Sequence, residues 1–161
     1  MIETAVSSLK CVFFMDYGMT ECSGHICISL LPPPLLELPL VERISLNSMS
    51  GLPFNGMDVR VVNPQKPEDD SMIATDGTAV GEVVVRGDTV FAEYWRNPTA
   101  TEESRLPASD GGAAWFRTGN SSFLIHNSSF LIQNSSFLKH KSSFVIQNYL
   151  DLCFEQAILL W

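Results

Sequence analysis

A seven-residue tandem repeat at residues 120–147 limits how much of the chain can form an ordinary core. Four consecutive copies read NSSFLIH, NSSFLIQ, NSSFLKH and KSSFVIQ. In a strand, an odd period sends the same side chain to alternate faces, so no face stays apolar. In a helix, the Ser and Asn residues favour caps and turns. Neither structure is well specified, so we predict a folded unit at 1–119, a low-complexity repeat at 120–147 and an apolar tail at 148–161.

The composition of the 161 residues suits one domain, because 45% of them are hydrophobic. The net charge of -8 and the isoelectric point near 4.7 exclude a nucleic-acid binder, which needs clustered Lys and Arg. No apolar run has the length of a membrane span, so none is predicted. The apolar tail offers a surface for self-association.

The four cysteines do not follow zinc-finger or disulfide-framework spacing, and the N-terminus does not read as a signal peptide. We therefore expect free thiols in a reducing, intracellular compartment, the cytoplasm. Cys22, His25 and Cys27 are close in sequence, but a fourth ligand at suitable spacing is missing, which disfavours a metal site there.

Local patterns predict a mixed α/β, β-rich fold. Residues 57–62 alternate apolar and charged side chains, as a half-buried strand does, and residues 82–86 suit a strand covered on both faces. Asn97 and Pro98 begin a short helix that ends before Pro107.

Two further segments are interpreted from composition alone. Residues 11–15 are apolar and aromatic, which predicts a short buried strand that ends at Tyr17 and Gly18. Residues 30–40 contain four prolines, each without a backbone donor, which predicts an extended connector instead of a helix. Trp95 and Trp115 are interpreted as packing aromatics, and Glu82 and Arg86 as structural charges at the strand ends.

Five motifs follow one another in a fixed order along the chain: YGMTE at 17–21, GLPFNGMDVR at 51–60, GEVVVRG at 81–87, YWRNP at 94–98 and WFRTG at 115–119. Their order and spacing resemble the adenylate-forming superfamily of AMP-dependent synthetases and ligases, which includes acyl-CoA synthetases and luciferases. The sequence of residues 90–95 is most similar to acid:CoA ligases, including those similar to malonyl-CoA synthetase. The resemblance implies a β-rich part of the N-terminal adenylate-forming domain.

The resemblance implies a two-step reaction with a small-molecule carboxylate, ATP and coenzyme A. The carboxylate attacks the α-phosphorus of ATP, pyrophosphate leaves, and the thiol of coenzyme A attacks the acyl-adenylate. Charge builds on the phosphate oxygens in the first step, so magnesium and a hydroxyl donor are useful there. The implied cofactors are thus ATP or AMP, Mg²⁺ and coenzyme A.

The same resemblance implies roles for the residues of the first motif. Thr20 donates to the α-phosphate, and Glu21 holds the magnesium, a hard cation that prefers oxygen ligands. Tyr17 and Gly18 line the adenine pocket. Met19 is either a pocket residue or a packing residue that fills a gap.

Where the family has an aspartate that binds both ribose hydroxyls, this chain has Asn120, which is uncharged and offers one oxygen instead of two. A phosphate loop before Tyr17, a hinge and a C-terminal lid with its lysine are also not found. We therefore expect a truncated acyl-CoA synthetase that is inactive alone. The alternative is a non-catalytic, β-rich remnant that acts only by association with other chains.

Overall fold

The computed structural model describes residues 2–66, 70–74, 78–125 and 131–134. Four helices and eight strands follow one another along these residues. In chain order they are α1 (Ile2–Leu9), β1 (Asp16–Met19), a 3₁₀ turn (Thr20–Cys22), β2 (Gly24–Ile28), α2 (Pro33–Leu36), α3 (Leu40–Asn47), β3 (Leu52–Pro53), β4 (Met57–Val62), β5 (Gly81–Gly87), α4 (Pro98–Glu103), β6 (Arg105–Leu106), β7 (Trp115–Ile125) and β8 (Leu131–Asn134).

The strands form two antiparallel sheets, which confirms the mixed α/β, β-rich prediction. The small sheet has the order β1-β2-β3, and the larger one has the order β4-β5-β7-β6 with β8 also paired to β7. In β4, buried and more exposed residues alternate from Met57 to Val61, as the sequence predicted. Val83, Val84 and Val85 of β5 are all buried, so this strand is covered on both faces.

The core lies on the two sides of β5. One cluster joins the small sheet and the 3₁₀ turn to the larger sheet, and a second cluster covers the opposite face. The first contains Cys22, Ile26, Cys27, Met57, Val59, Val61, Val83, Val85 and Phe116, and the second contains Val62, Val84, Leu106 and Trp115. Because consecutive valines of a strand point to opposite faces, the apolar run of β5 supplies both clusters.

Two segment predictions were wrong. Residues 11–15 are not a strand: Val12 and Phe14 are exposed, and β1 begins only at Asp16. Residues 30–40 are not simply extended, because α2 begins at Pro33. Prolines are tolerated in the first turn of a helix, where the backbone N–H has no partner within the helix.

The prediction for the helix after Asn97 is confirmed. The side chain of Asn97 accepts a hydrogen bond from the backbone N–H of Ala100, and α4 ends at Glu103. The two tryptophans interpreted as core or turn-packing aromatics differ: Trp115 is buried in the core, whereas Trp95 is 81% exposed and does not belong to the core.

Strand β7 continues through residue 125, past the predicted boundary between residues 119 and 120. It pairs with β8, whose residues 131–134 also belong to the repeat. The repeat therefore forms regular structure at these positions, contrary to the expectation that neither conformation is specified. The domain boundary itself stays a prediction, and the tail at 148–161 lies outside the described residues. Within the described part of the chain, no helix has the length and apolar character needed to cross a membrane.

Candidate functional site

The first motif forms a tight hairpin in which β1, the 3₁₀ turn and β2 surround a cleft of about 490 Å³. Ser23 closes the turn in the left-handed conformation, with φ of 57°. Gly18 is required by the close approach of the strands, because a Cβ there would lie 1.9 Å from the carbonyl oxygen of Gly24. The cleft is lined by Asp16, Gly18, Met19, Thr20, Ser23 and Gly24.

A bulge in β7 brings Asn120 to this hairpin. Glu82 pairs with Ser121 and Val84 pairs with Arg117, so three residues of β7 lie opposite Val83 alone. Gly119 occupies the middle of the bulge with φ of 70°, a value that glycine adopts readily. The bulge thereby presents the Asn120 side chain towards β1.

Tyr17 and Asn120, two of the predicted site residues, are in direct contact. The Asn120 Nδ2 donates a hydrogen bond of 3.1 Å to the Tyr17 hydroxyl oxygen. Burial raises the pKa of Tyr17, although hydrogen bonds with Thr118 and Asn120 oppose the rise. The Tyr17 phenol is therefore neutral near pH 7 and can donate its own proton to a ligand.

Glu21 faces the segment that follows β5. Its Oε1 atom accepts a hydrogen bond of 3.1 Å from the Tyr94 hydroxyl, and its backbone carbonyl accepts one of 2.7 Å from the Phe91 N–H. Burial and the hydrogen bond with the Glu21 carboxylate raise the pKa of Tyr94. Tyr94 begins the motif YWRNP at 94–98, but the sequence predicted no role for it. A contact across 73 residues leaves no local pattern.

The described residues contain no group of three or more His, Cys, Asp or Glu side chains placed to hold a metal ion. Cys22 and Cys27 are core residues, and burial raises their thiol pKa values to about 11 and about 12. His25 lies 2.6 Å from Asp16 through its Nδ1 atom. Magnesium commonly takes one or two carboxylates together with substrate phosphates, so the single Glu21 carboxylate fits its needs.

The sequence and the fold of this chain have counterparts in known proteins. Residues 2–95 match the model of the AMP-binding enzyme family. This chain belongs to the AMP-binding enzyme family. The acetate–CoA ligase CCL3 of Humulus lupulus is 35% identical over 107 residues, which are 65% of this chain and 17% of that protein.

Two further similar proteins show the same partial overlap. Atromentin synthetase greA of Suillus grevillei is 37% identical over 115 residues, 71% of this chain and 10% of that protein. A solved malonyl-CoA ligase in ternary product complex with methylmalonyl-CoA and AMP is 25% identical with a TM-score of 0.54, over 83% of this chain and 24% of the ligase. The chain thus spans between 10% and 24% of the length of these three proteins.

Proposed function

We propose that this chain is part of an AMP-forming acid:CoA ligase. It would carry an adenine-nucleotide site and would not complete the reaction by itself. The observation that carries the proposal is the contact between Tyr17 and Asn120, 103 residues apart in the sequence. Tyr17 directly precedes Gly18 and Met19, which line the cleft of the first motif. The malonyl-CoA ligase with bound AMP is similar to this chain in fold, which supports a nucleotide site.

The proposed roles are those that the resemblance to the adenylate-forming superfamily implies for these residues. Tyr17, Gly18 and Met19 would contact the adenine, and Asn120 would hydrogen-bond the ribose. The exposed Thr20 hydroxyl at the cleft would donate to the α-phosphate. Glu21 would hold Mg²⁺, which when bound neutralises phosphate charge.

The substrates proposed for the complete ligase are a small carboxylic acid and coenzyme A, as the names of the acetate–CoA and malonyl-CoA ligases suggest. The chain spans 17% and 24% of these two proteins, so their activity and substrates come to this chain only as a proposal. We expect nucleotide binding without turnover, because Asn120 is uncharged where the family has an aspartate.

The binding test is a titration of AMP into the full chain, followed by NMR shifts of the backbone amides. Thr20→Val keeps the side-chain shape and removes the hydroxyl, and should weaken AMP binding about tenfold, since a hydrogen bond to a charged phosphate is lost. Thr99→Val in α4 is the matched control and should bind as the wild type does. Absence of AMP binding to the wild type, or equal binding by Thr20→Val, would overturn the proposal.

The turnover test measures pyrophosphate release from ATP in the presence of acetate or malonate and coenzyme A. We expect release no greater than in a heat-killed control. Formation of acyl-CoA above that control would show that the chain is a complete catalyst, and would refute the second half of the proposal.

A further inference from the structure

Tyr94 links the segment after β5 to the first motif. Its hydroxyl donates to Glu21 Oε1 at 3.1 Å, and its ring is only half-exposed. The hydroxyl has one proton, and here it is used on a carboxylate oxygen. The contact therefore gives Glu21 a fixed neighbour on one of its two oxygens.

The segment that carries Tyr94 is itself held in place. The Phe91 N–H donates to the Glu21 carbonyl at 2.7 Å, and Arg105 Nη2 donates to the carbonyls of Phe91 and Ala92 at 2.7 and 3.0 Å. The Tyr94 N–H donates to the Thr101 hydroxyl at 3.0 Å. Hydrogen bonds to the backbone of Phe91, Ala92 and Tyr94 thus fix the segment that carries the phenol.

Aromatic packing restricts the same segment further. The Phe91 ring meets the Tyr94 ring edge to face at 4.6 Å and the buried Phe116 ring at 5.3 Å. Arg105 lies over both phenylalanine rings, 5.3 and 5.6 Å from their centroids. The Tyr94 hydroxyl is therefore anchored to the larger sheet, and through it Glu21 is anchored as well.

We infer that Tyr94 is a positioning residue that orients the Glu21 carboxylate for a divalent cation bound with the nucleotide. A glutamate side chain has several rotatable bonds, and ordering it on cation binding costs conformational entropy. A hydrogen bond at Oε1 would remove part of that cost in advance and would leave Oε2 available to a cation. This inference rests on the proposed function, because it concerns the same nucleotide site.

The test compares ATP binding with and without Mn²⁺ in the full chain. Tyr94→Phe keeps the ring that packs on Phe91 and removes only the hydroxyl. It should weaken binding of ATP with Mn²⁺ on the order of tenfold, as the loss of groups that orient metal ligands does. Binding of ATP in EDTA should stay within about twofold of the wild type. Trp95→Phe, at an exposed neighbouring position, is the matched control and should change neither value.

A double-mutant cycle separates positioning from a structural role. In the Glu21→Gln background, which lacks the carboxylate, Tyr94→Phe should cause no further loss of Mn²⁺-dependent affinity. Additive losses, or an equal loss with and without Mn²⁺, would overturn the inference. Thr101→Val keeps the phenol and removes the acceptor for the Tyr94 N–H, and should give a smaller loss that also requires Mn²⁺.

The measurements distinguish failure of the nucleotide site from failure of the positioning role of Tyr94. If wild-type chain binds no ATP under either condition, the proposed function is overturned, and the positioning role with it. If wild-type chain binds ATP with Mn²⁺ and Tyr94→Phe binds it equally well, the nucleotide site stands and only the positioning role is overturned. Thermal melting of each variant identifies any loss of binding that comes from unfolding.

Discussion

Two polar clusters of this protein differ in how completely their groups are satisfied. Around Trp115, a buried carboxylate, two guanidinium groups and an indole form hydrogen bonds and packing contacts with one another. Around the cleft of the first motif, Thr20 and Asn120 are exposed and face solvent. The first arrangement suits stability, since buried polar groups need partners, and the second suits binding, because donors and acceptors stay available to a ligand.

The Trp115 cluster is centred on Asp70, whose side chain is 3% exposed. Asp70 accepts from Arg60 Nη1 at 2.9 Å, from the Trp115 indole N–H at 3.0 Å and from the Ser109 N–H at 3.2 Å. Arg60 and Arg86 lie over the Trp115 ring, 4.4 and 4.3 Å from its centroid. These residues join β4, β5 and β7, so the cluster ties the larger sheet together.

The turn at the cleft contains a non-glycine residue in the left-handed region. Ser23 has φ of 57°, whereas the φ of 70° in the bulge of β7 falls on Gly119, which adopts it readily. A non-glycine residue in the left-handed region costs about 1 kcal/mol or more, which the surrounding contacts must offset. The closed cluster is thus expected to carry stability, and the cleft to carry function at some cost in stability.

The largest expected effect is on stability. Asp70→Ala removes the acceptor of three donors and should lower the free energy of unfolding by about 2 to 3 kcal/mol. The loss is below that of a fully buried ion pair, because the Arg60 side chain is 28% exposed. Urea denaturation gives the value.

Asp58→Asn is the matched control, since Asp58 pairs with Arg86 but is 65% exposed. An exposed pair contributes little, so this change should be within about 0.5 kcal/mol of the wild type. Equal losses for the two variants would mean that burial does not distinguish these carboxylates, and the comparison between closed and open clusters would fail.

The acid sensitivity of the chain should depend on Asp70. Hydrogen bonds from Ser109, together with those from Trp115 and the charge of Arg60, hold the pKa of Asp70 below its usual range in spite of burial. The stabilisation is therefore complete above about pH 3.9, the value for an unfolded aspartate, and is lost as pH falls through the lower pKa of the folded state.

Urea midpoints measured from neutral pH down to about pH 2.5 should test this linkage. The wild type should lose stability more steeply than Asp70→Asn in the acid range, because the amide does not titrate. Parallel curves for the two proteins would contradict the assignment of the linkage to Asp70.

The smallest expected effect is on nucleotide affinity, through Asn120. Asn120→Asp restores the carboxylate of the family pattern, but the side chain is exposed, so solvent screens the new charge. We expect AMP and ATP to bind less than tenfold more tightly, as measured by calorimetry, which is a gain below about 1.4 kcal/mol.

Asn97→Asp is the control for this change, because it alters the same residue type at the start of α4, where an aspartate also caps well. It should leave nucleotide affinity unchanged. A tightening of tenfold or more for Asn120→Asp alone would show that the ribose contact is the main deficiency of the site.

The sequence predicted the elements whose causes are local. The alternation of residues 57–62 and the valine run of β5 are set by neighbours in the chain, and Asn97 with Pro98 specifies the start of α4. The ordered motifs also indicated the family, which the match over residues 2–95 shows. The placement of Gly18, Met19 and Thr20 at one cleft follows from their being consecutive.

Only the tertiary structure decided the contacts that join distant segments. The exposure of Trp95, the burial of Trp115 and the pairing of Tyr94 with Glu21 depend on which surfaces meet when the two sheets pack. The contact between Tyr17 and Asn120 depends on a bulge that a side-chain pattern does not encode. Local propensity acts over a few residues, whereas these contacts cross 73 and 103 residues and form only when burial of the shared core offsets the entropy of closing such loops.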